Sequence, residues 1–213
     1  MALKFNLGAK IALGIGSATT VGVGGYVANE YLSGTKITEL LEKDELVLLA
    51  KGGDAGQWTK RWKEYIDKGD NKWNLSNYDT SSKNTGSAPE NFKEACTYNS
   101  TKKVNDNQTD IYKEVAEFCT KGFAVSELIG KEEKIQLIAE GDSQHQKWKE
   151  AWGKYFDEVK SSDPLKLGNL ESSVRTTVPS NYKTRCDEEK VKEVRNKKDP
   201  TYLTVKSWCT TNK

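Results

Sequence analysis

The chain has 213 residues, 35% hydrophobic and 30% charged, with a formal net charge of +2. Lys4 and Lys10 precede the first acidic residue, so from Glu30 onward the remaining 31 basic residues balance 31 acidic ones. That balance, with no Lys/Arg run longer than two, gives no clustered basic face for nucleic acid. The low hydrophobic content assigns any core to the six Trp, nine Tyr and five Phe.

Taken in chain order, residues 1–10 form a basic N-terminus, and residues 11–29 are uncharged and mostly Ile, Leu, Val, Ala or Gly. That length suits one crossing of a bilayer as a helix. Lys4 and Lys10 in front, with Glu30, Glu39, Glu42, Asp44 and Glu45 behind, orient it with the N-terminus cytoplasmic and the rest outside, although Lys36 and Lys43 oppose this. Gly14, Ala18 and Gly22 recur at four-residue spacing and offer a face for self-association in lipid. A cleaved secretory signal, with Val23-Gly24-Gly25 before the cut, is the competing reading. A buried helix in water is disfavoured, because each glycine of the span costs about 1 kcal/mol relative to Ala there. Gly14-Ile15-Gly16 lacks the third Gly of a dinucleotide loop and the Gly-Lys-Ser/Thr of a P-loop, so no nucleotide cofactor is expected.

The body then repeats itself. Trp58, Trp62, Tyr65 and Ile66 return as Trp148, Trp152, Tyr155 and Phe156; Pro89, Phe92 and Cys96 return as Pro179, Tyr182 and Cys186; Phe118-Cys119-Thr120 returns as Trp208-Cys209-Thr210, always 90 positions on. Thr38-Glu39-Leu40-Leu41 matches Ser126-Glu127-Leu128-Ile129 at 88, and so does Gly53-Asp54 with Gly141-Asp142. This places a two-residue insertion in the loop before Trp148. The expected architecture is mainly α: a transmembrane helix, then tandem copies of a small helical unit over residues 35–122 and 123–213.

Each copy is expected to open with a helical turn or two capped by Thr35 or Ser126, then a short extended piece, Leu46–Leu49 or Ile135–Ile138. The aromatic segment follows. Its spacing of i, i+4, i+7, i+8 describes one face of an amphipathic helix, read as core rather than as an exposed ligand-binding ladder. Gly69 or the Ser161-Ser162-Asp163-Pro164 cluster ends it. Polar loops, 74–87 and 163–177, differ most between copies. Pro89 and Pro179 suit the first turn of a short helix carrying Phe92/Cys96 or Tyr182/Cys186. A closing helix presents Tyr112, Val115, Phe118 and Cys119, or, opened by Asp199-Pro200, Tyr202, Val205, Trp208 and Cys209. Gly122 stops the first closing helix, and the second copy starts at once, so the copies are expected to pack together.

Four cysteines allow three pairings, and the repeat favours Cys96–Cys119 and Cys186–Cys209 as structural disulfides, a chemistry that suits an exported body. The alternatives are free thiols in a reducing compartment or a zinc site, the latter lacking Cys-x2-Cys spacing and a nearby His. No catalytic, cofactor or metal residue is singled out. The one histidine, His145, falls in the longer loop before Trp148, without a partner motif. The shared acids Glu39/Glu127 and Asp54/Asp142 read as helix surface and turn. Asn74, Asn99 and Asn107 head sequons that matter only in a eukaryotic export pathway.

The basic start, the Gly/Ala-rich span ending near Gly24-Gly25-Tyr26, the Trp-containing helices and the terminal Trp208-Cys209 resemble the paralogous membrane-anchored surface proteins of haemotropic mycoplasmas. The resemblance implies a single-pass, non-enzymatic antigen or host-contact ectodomain, with a host-surface protein or antibody as partner. It carries no functional residues over to this chain. The alternatives are an anchored or secreted hydrolase using paired carboxylates, and a scaffold facing the cytoplasm.

Overall fold

Trp58, Trp62, Tyr65 and Ile66 are all buried along one side of a 14-residue helix, α2 (Ala55–Lys68). Trp148, Trp152 and Tyr155 are buried in the same way along α6 (His145–Glu158). The aromatic spacing is therefore core. The computed structural model describes residues 34–76, 78–79, 86–141, 145–159, 162–168, 170 and 173–213. The apolar span 11–29, with Gly14, Ala18 and Gly22, lies outside the described residues. Among those described, no helix is long and apolar enough to cross a membrane.

The first half runs β1 (Thr35–Lys36), α1 (Ile37–Lys43), α2, α3 (Glu90–Ser100), β2 (Lys103–Val104) and α4 (Asp110–Phe118). The second runs β3 (Phe123–Ala124), α5 (Val125–Gly130), β4 (Ile135–Leu137), α6, α7 (Ser180–Lys190), β5 (Glu193–Val194), α8 (Pro200–Trp208) and β6 (Thr210–Asn212). Gly34–Lys213 forms one compact body. Its cores are nevertheless separate, one drawn from residues between Ile37 and Cys119 and the other from residues between Phe123 and Cys209. In each, a Trp and a Tyr of the long helix stack, Trp62 on Tyr65 and Trp152 on Tyr155, both at 5.9 Å between ring centroids. Phe92 or Tyr182 packs against both rings. Cys96–Cys119 and Cys186–Cys209 are disulfides, each joining residues 23 apart in sequence.

Each half holds more extended structure than the single segment expected from sequence. β1 pairs with β2 and β3 with β5, both antiparallel, closing the start of each half onto the end of its Cys-bearing helix. The apolar piece pairs with the residues after the second cysteine, as an isolated bridge between Leu48 and Thr120 and as the β4–β6 ladder. Two-residue strands have no detectable period, which is why the pattern of the sequence conceals them.

These ladders also correct the expected helix starts. Thr35 lies in β1 and Ser126 inside α5, so neither is a cap; Lys36 and Ala124 precede the helices without side-chain bonds. The first helical N–H groups, of Ile37 and Val125, donate instead to Lys102 and Lys192 carbonyls at 2.9 and 3.0 Å, so a neighbouring turn replaces the side-chain cap. Pro89 and Pro179 stand just before α3 and α7 rather than within their first turns. α4 ends at Phe118, three residues before Lys121 leads into Gly122, so that glycine does not terminate it. Pro200 is the first residue of α8, and the Asp199 carboxylate accepts from Thr201 N at 2.7 Å.

The offset between the halves is spread over two places. Leu49 N donates to Cys119 O and Ile138 N to Cys209 O, and Trp58 and Trp148 indoles donate to Ala50 O and Ala139 O. These partners are 89 apart, between the 88 of β1/β3 and the 90 of α2/α6. One extra residue therefore lies before β4 and only one in the turn before α6.

Asp54 caps α2, its carboxylate accepting from Gly56 N at 2.9 Å and Gln57 N at 3.1 Å. Asp54→Ala is expected to cost about 1 kcal/mol, measurable as a lower denaturant midpoint with an unchanged slope. Gly69, at φ 80°, ends the helix in the left-handed conformation that glycine adopts without strain.

Candidate functional surface

Four charged residues without a counterpart in the other half, Arg61, Glu64, Glu193 and Arg195, gather where the halves meet. Arg61 projects from the middle of α2 and is fully buried, although it carries a charge. Burial of a guanidinium requires partners. It donates to Glu64 at 2.7 Å and to Glu193 of β5, while Lys60 reaches the other oxygen of Glu193 at 2.8 Å. Arg195 completes the group, donating to Glu64 at 2.9 Å and to the carbonyls of Thr120 and Glu117 at 3.1 Å.

Around this cluster side-chain amides hold backbone groups, Gln57 within the first half and Asn196 across to it. The Gln57 amide donates to Gly122 O at 3.2 Å and accepts from Gly122 N at 3.0 Å, and Asn196 donates to Asp44 O at 2.7 Å. Gly122 is needed because a Cβ there would stand 2.0 Å from the Glu193 carboxyl carbon. Burial pushes the Glu193 carboxyl up, but hydrogen bonds from Lys60 and Arg61 outweigh it and hold the group below its ordinary value. For Glu64 burial prevails over the Arg61 charge and the carboxyl is raised. Glu193 is thus the firmer counter-ion of Arg61, and the cluster is an internal clamp.

A surface groove of 620 Å³ runs along α6 beside Arg175. Three acids line it, Glu150, Asp157 and Glu158, all from α6 itself. Arg175 holds Asp157 through two donors, Nε at 2.8 Å and Nη2 at 2.7 Å, and crosses α6 over Gly153, 3.6 Å from where a Cβ would stand. Paired-carboxylate hydrolysis needs acids facing each other across a cleft; these share one helix. Among the described residues no group of three or more His, Cys, Asp or Glu is placed to hold a metal ion.

The other residues considered from sequence are placed plainly. His145 is the exposed first residue of α6, opposite Ala55 in the first half, so it does not belong to an inserted loop. Glu39 and Glu127 are exposed on helices, the latter paired with Lys131 at 2.9 Å; Asp142 lies outside the described residues. Asn99 is buried, and Asn107 donates to Asp44 at 3.1 Å. The sequence conceals the interface cluster because Arg61, Glu64, Glu193 and Arg195 sit on faces that look solvent-exposed in either half alone. The signal it does carry is the absence of each from the matching position of the other half.

Acid is expected to loosen the body. Hydrogen bonds from Tyr112 and Asn107 hold Asp44 low, and Lys197 and Tyr202 do the same for Glu132. Depressed carboxyls contribute stability above their unfolded values and lose it as pH falls through the folded ones. The raised Glu64 has the opposite sign and offsets part of this. The urea midpoint should therefore decline once pH passes below the ordinary values of 4.5 and 3.8; a midpoint unchanged through that range would remove Asp44 and Glu132 as stabilising groups.

Comparison with protein-family models, with curated proteins and with solved structures returns no match.

Proposed function

We propose that this chain is a single-pass membrane-anchored surface protein whose body, built from two copies of one disulfide-stapled unit, acts as a non-enzymatic antigen or host-contact ectodomain. The observation that carries the reading is the pair of disulfides closing each core in the same way, a chemistry at home in oxidising surroundings. The matching ladders and the matching indole bonds to Ala50 and Ala139 support descent of the halves from one unit. The span 11–29 supplies the anchor, with the N-terminus cytoplasmic and residues 34–213 outside. A resemblance to surface proteins of haemotropic mycoplasmas agrees with this layout, and a host-surface protein or antibody is the partner it implies.

Contact would fall on the segments where the copies disagree, chiefly the polar stretches 74–87 and 163–177, because the shared residues are consumed by the cores. Treating intact cells with a membrane-impermeant amine reagent tests the placement. Modification of body lysines such as Lys63 and Lys149 without lysis supports it; labelling only after lysis contradicts it.

A further inference from the structure

The short ladder that closes each half turns one backbone edge outward. In β4–β6 the bonded pairs are Lys134 with Lys213 and Ile138 with Cys209, each at 3.1 Å, and Gln136 opposite Thr211 falls between them. Bonded and non-bonded pairs alternate in an antiparallel ladder. Thr210 and Asn212 therefore turn their carbonyls, and Asn212 its N–H, away from β4. The first half has the same register: Leu49 N donates to Cys119 O at 2.8 Å and Lys121 N to Val47 O at 2.7 Å, which turns Thr120 and Gly122 outward. There the matching groups are held. Arg195 donates to Thr120 O at 3.1 Å, and the Gln57 amide accepts from Gly122 N and donates to Gly122 O. In the second half Lys147 stands where Gln57 does, and an ammonium donates but cannot accept. Among the described residues nothing bonds Asn212 N, Asn212 O or Thr210 O from that side. The edge borders a groove of 330 Å³ walled by Lys147, Glu150, Ala151 and Lys154 of α6.

We propose that the β6 edge accepts an extended acidic segment of a partner protein, which adds as a further strand in this groove. An unpaired strand edge is a template for another backbone. The open groups match a peptide: Asn212 N needs an acceptor, while Asn212 O and Thr210 O, two residues apart on one edge, need donors at the spacing of a strand. Strand addition needs no glycine at position 212, because the new backbone lies in the plane of the ladder whereas the Asn212 Cβ points out of it. Charge selects the segment. Lys147, Lys154 and Lys206 border the groove against one acid, Glu150, although Lys206 also lies 3.8 Å from Glu132. Acidic side chains are therefore matched there and basic ones repelled. Lys154 is fixed over the Trp208 ring at 5.1 Å, so the wall is partly preorganised. The site gives the contact function its partner chemistry and rests on that reading only for the origin of the partner.

The experiment is fluorescence anisotropy of a labelled, end-capped peptide of alternating Glu and Val, titrated with the purified full chain in detergent, with circular dichroism to confirm that each variant is folded. Binding should saturate, and should weaken at least about tenfold when Lys replaces Glu in the peptide or when its backbone is N-methylated, which keeps the charges but prevents strand pairing. Lys147→Gln should also weaken it at least about tenfold, because a glutamine there closes over Asn212 as Gln57 closes over Gly122. Lys147→Met loses the same charge but cannot bond the edge, so its loss should be only about threefold. Hydrogen exchange of the Asn212 N–H should slow when the peptide is bound. No saturation by the acidic peptide would overturn the proposal. So would an N-methylated peptide that binds as well, or equal losses for Lys147→Gln and Lys147→Met. Saturable binding by the purified chain, together with body lysines labelled only after cell lysis, would keep this site and overturn the outward placement.

Discussion

Trp152→Ala should remove about 3–5 kcal/mol from the stability of the second half, in the range of large aromatic truncations in packed cores. Trp152 has no exposed surface, stacks on Tyr155 and meets Phe156 and Tyr182. Its indole N–H also donates to Val174 O at 3.1 Å, tying the loop between α6 and α7 to the core. Truncation therefore opens a cavity among the buried side chains of the second core and releases that loop. Because the two cores share no residue, hydrogen exchange should accelerate across 123–213 while the amides of α2 and α4 retain most of their protection. Equal loss in both halves would mean that the Arg61 clamp, rather than each core, governs stability.

Replacing Cys186 and Cys209 together with alanine should cost roughly 3 kcal/mol, the chain-entropy value for a loop of this length. The bond joins α7 to the end of α8, and both sulfur-bearing residues are buried. α7 has few other apolar contacts of its own, with only Tyr182 and Cys186 buried along its length. The expected readout is a lower thermal midpoint for the second half, with the first retaining its own Cys96–Cys119 bond. A loss below about 0.5 kcal/mol, which is ordinary for a surface substitution, would show that the aromatic core alone holds α7.

Much of this architecture was legible in the sequence, and the parts that were not have a common physical cause. The aromatic helices, the Cys-bearing helices and the cysteine pairing follow from side chains that recur at helical spacing and at a fixed offset, signals written in single residues. The strands escaped notice because β1, β2, β3 and β5 are two residues long and depend on partners about 70 positions away. The helix starts are concealed for the same reason: Ile37 and Val125 satisfy their N–H groups on the Lys102 and Lys192 carbonyls, donors and acceptors that no local pattern connects. The loops after α2 and α6 differ in sequence yet begin alike. Trp73 N donates to Tyr65 Oη at 2.9 Å and Leu165 N to Tyr155 Oη at 3.3 Å, a backbone equivalence hidden behind unlike side chains. Arg61 is the clearest case. Nothing in Arg61-Trp62-Lys63-Glu64 marks one cation of several as buried, and only the packing of β5 against α2 makes it so.

Two separately stapled cores are what the proposed exported body requires, and peptide mapping of protein isolated with its thiols blocked tests them most directly. Digestion without reductant should yield Cys96 linked to Cys119 and Cys186 linked to Cys209, with no blocked cysteine, and reduction should split both pairs. A bond crossing between the halves, or four thiols carrying the blocking group, would contradict it.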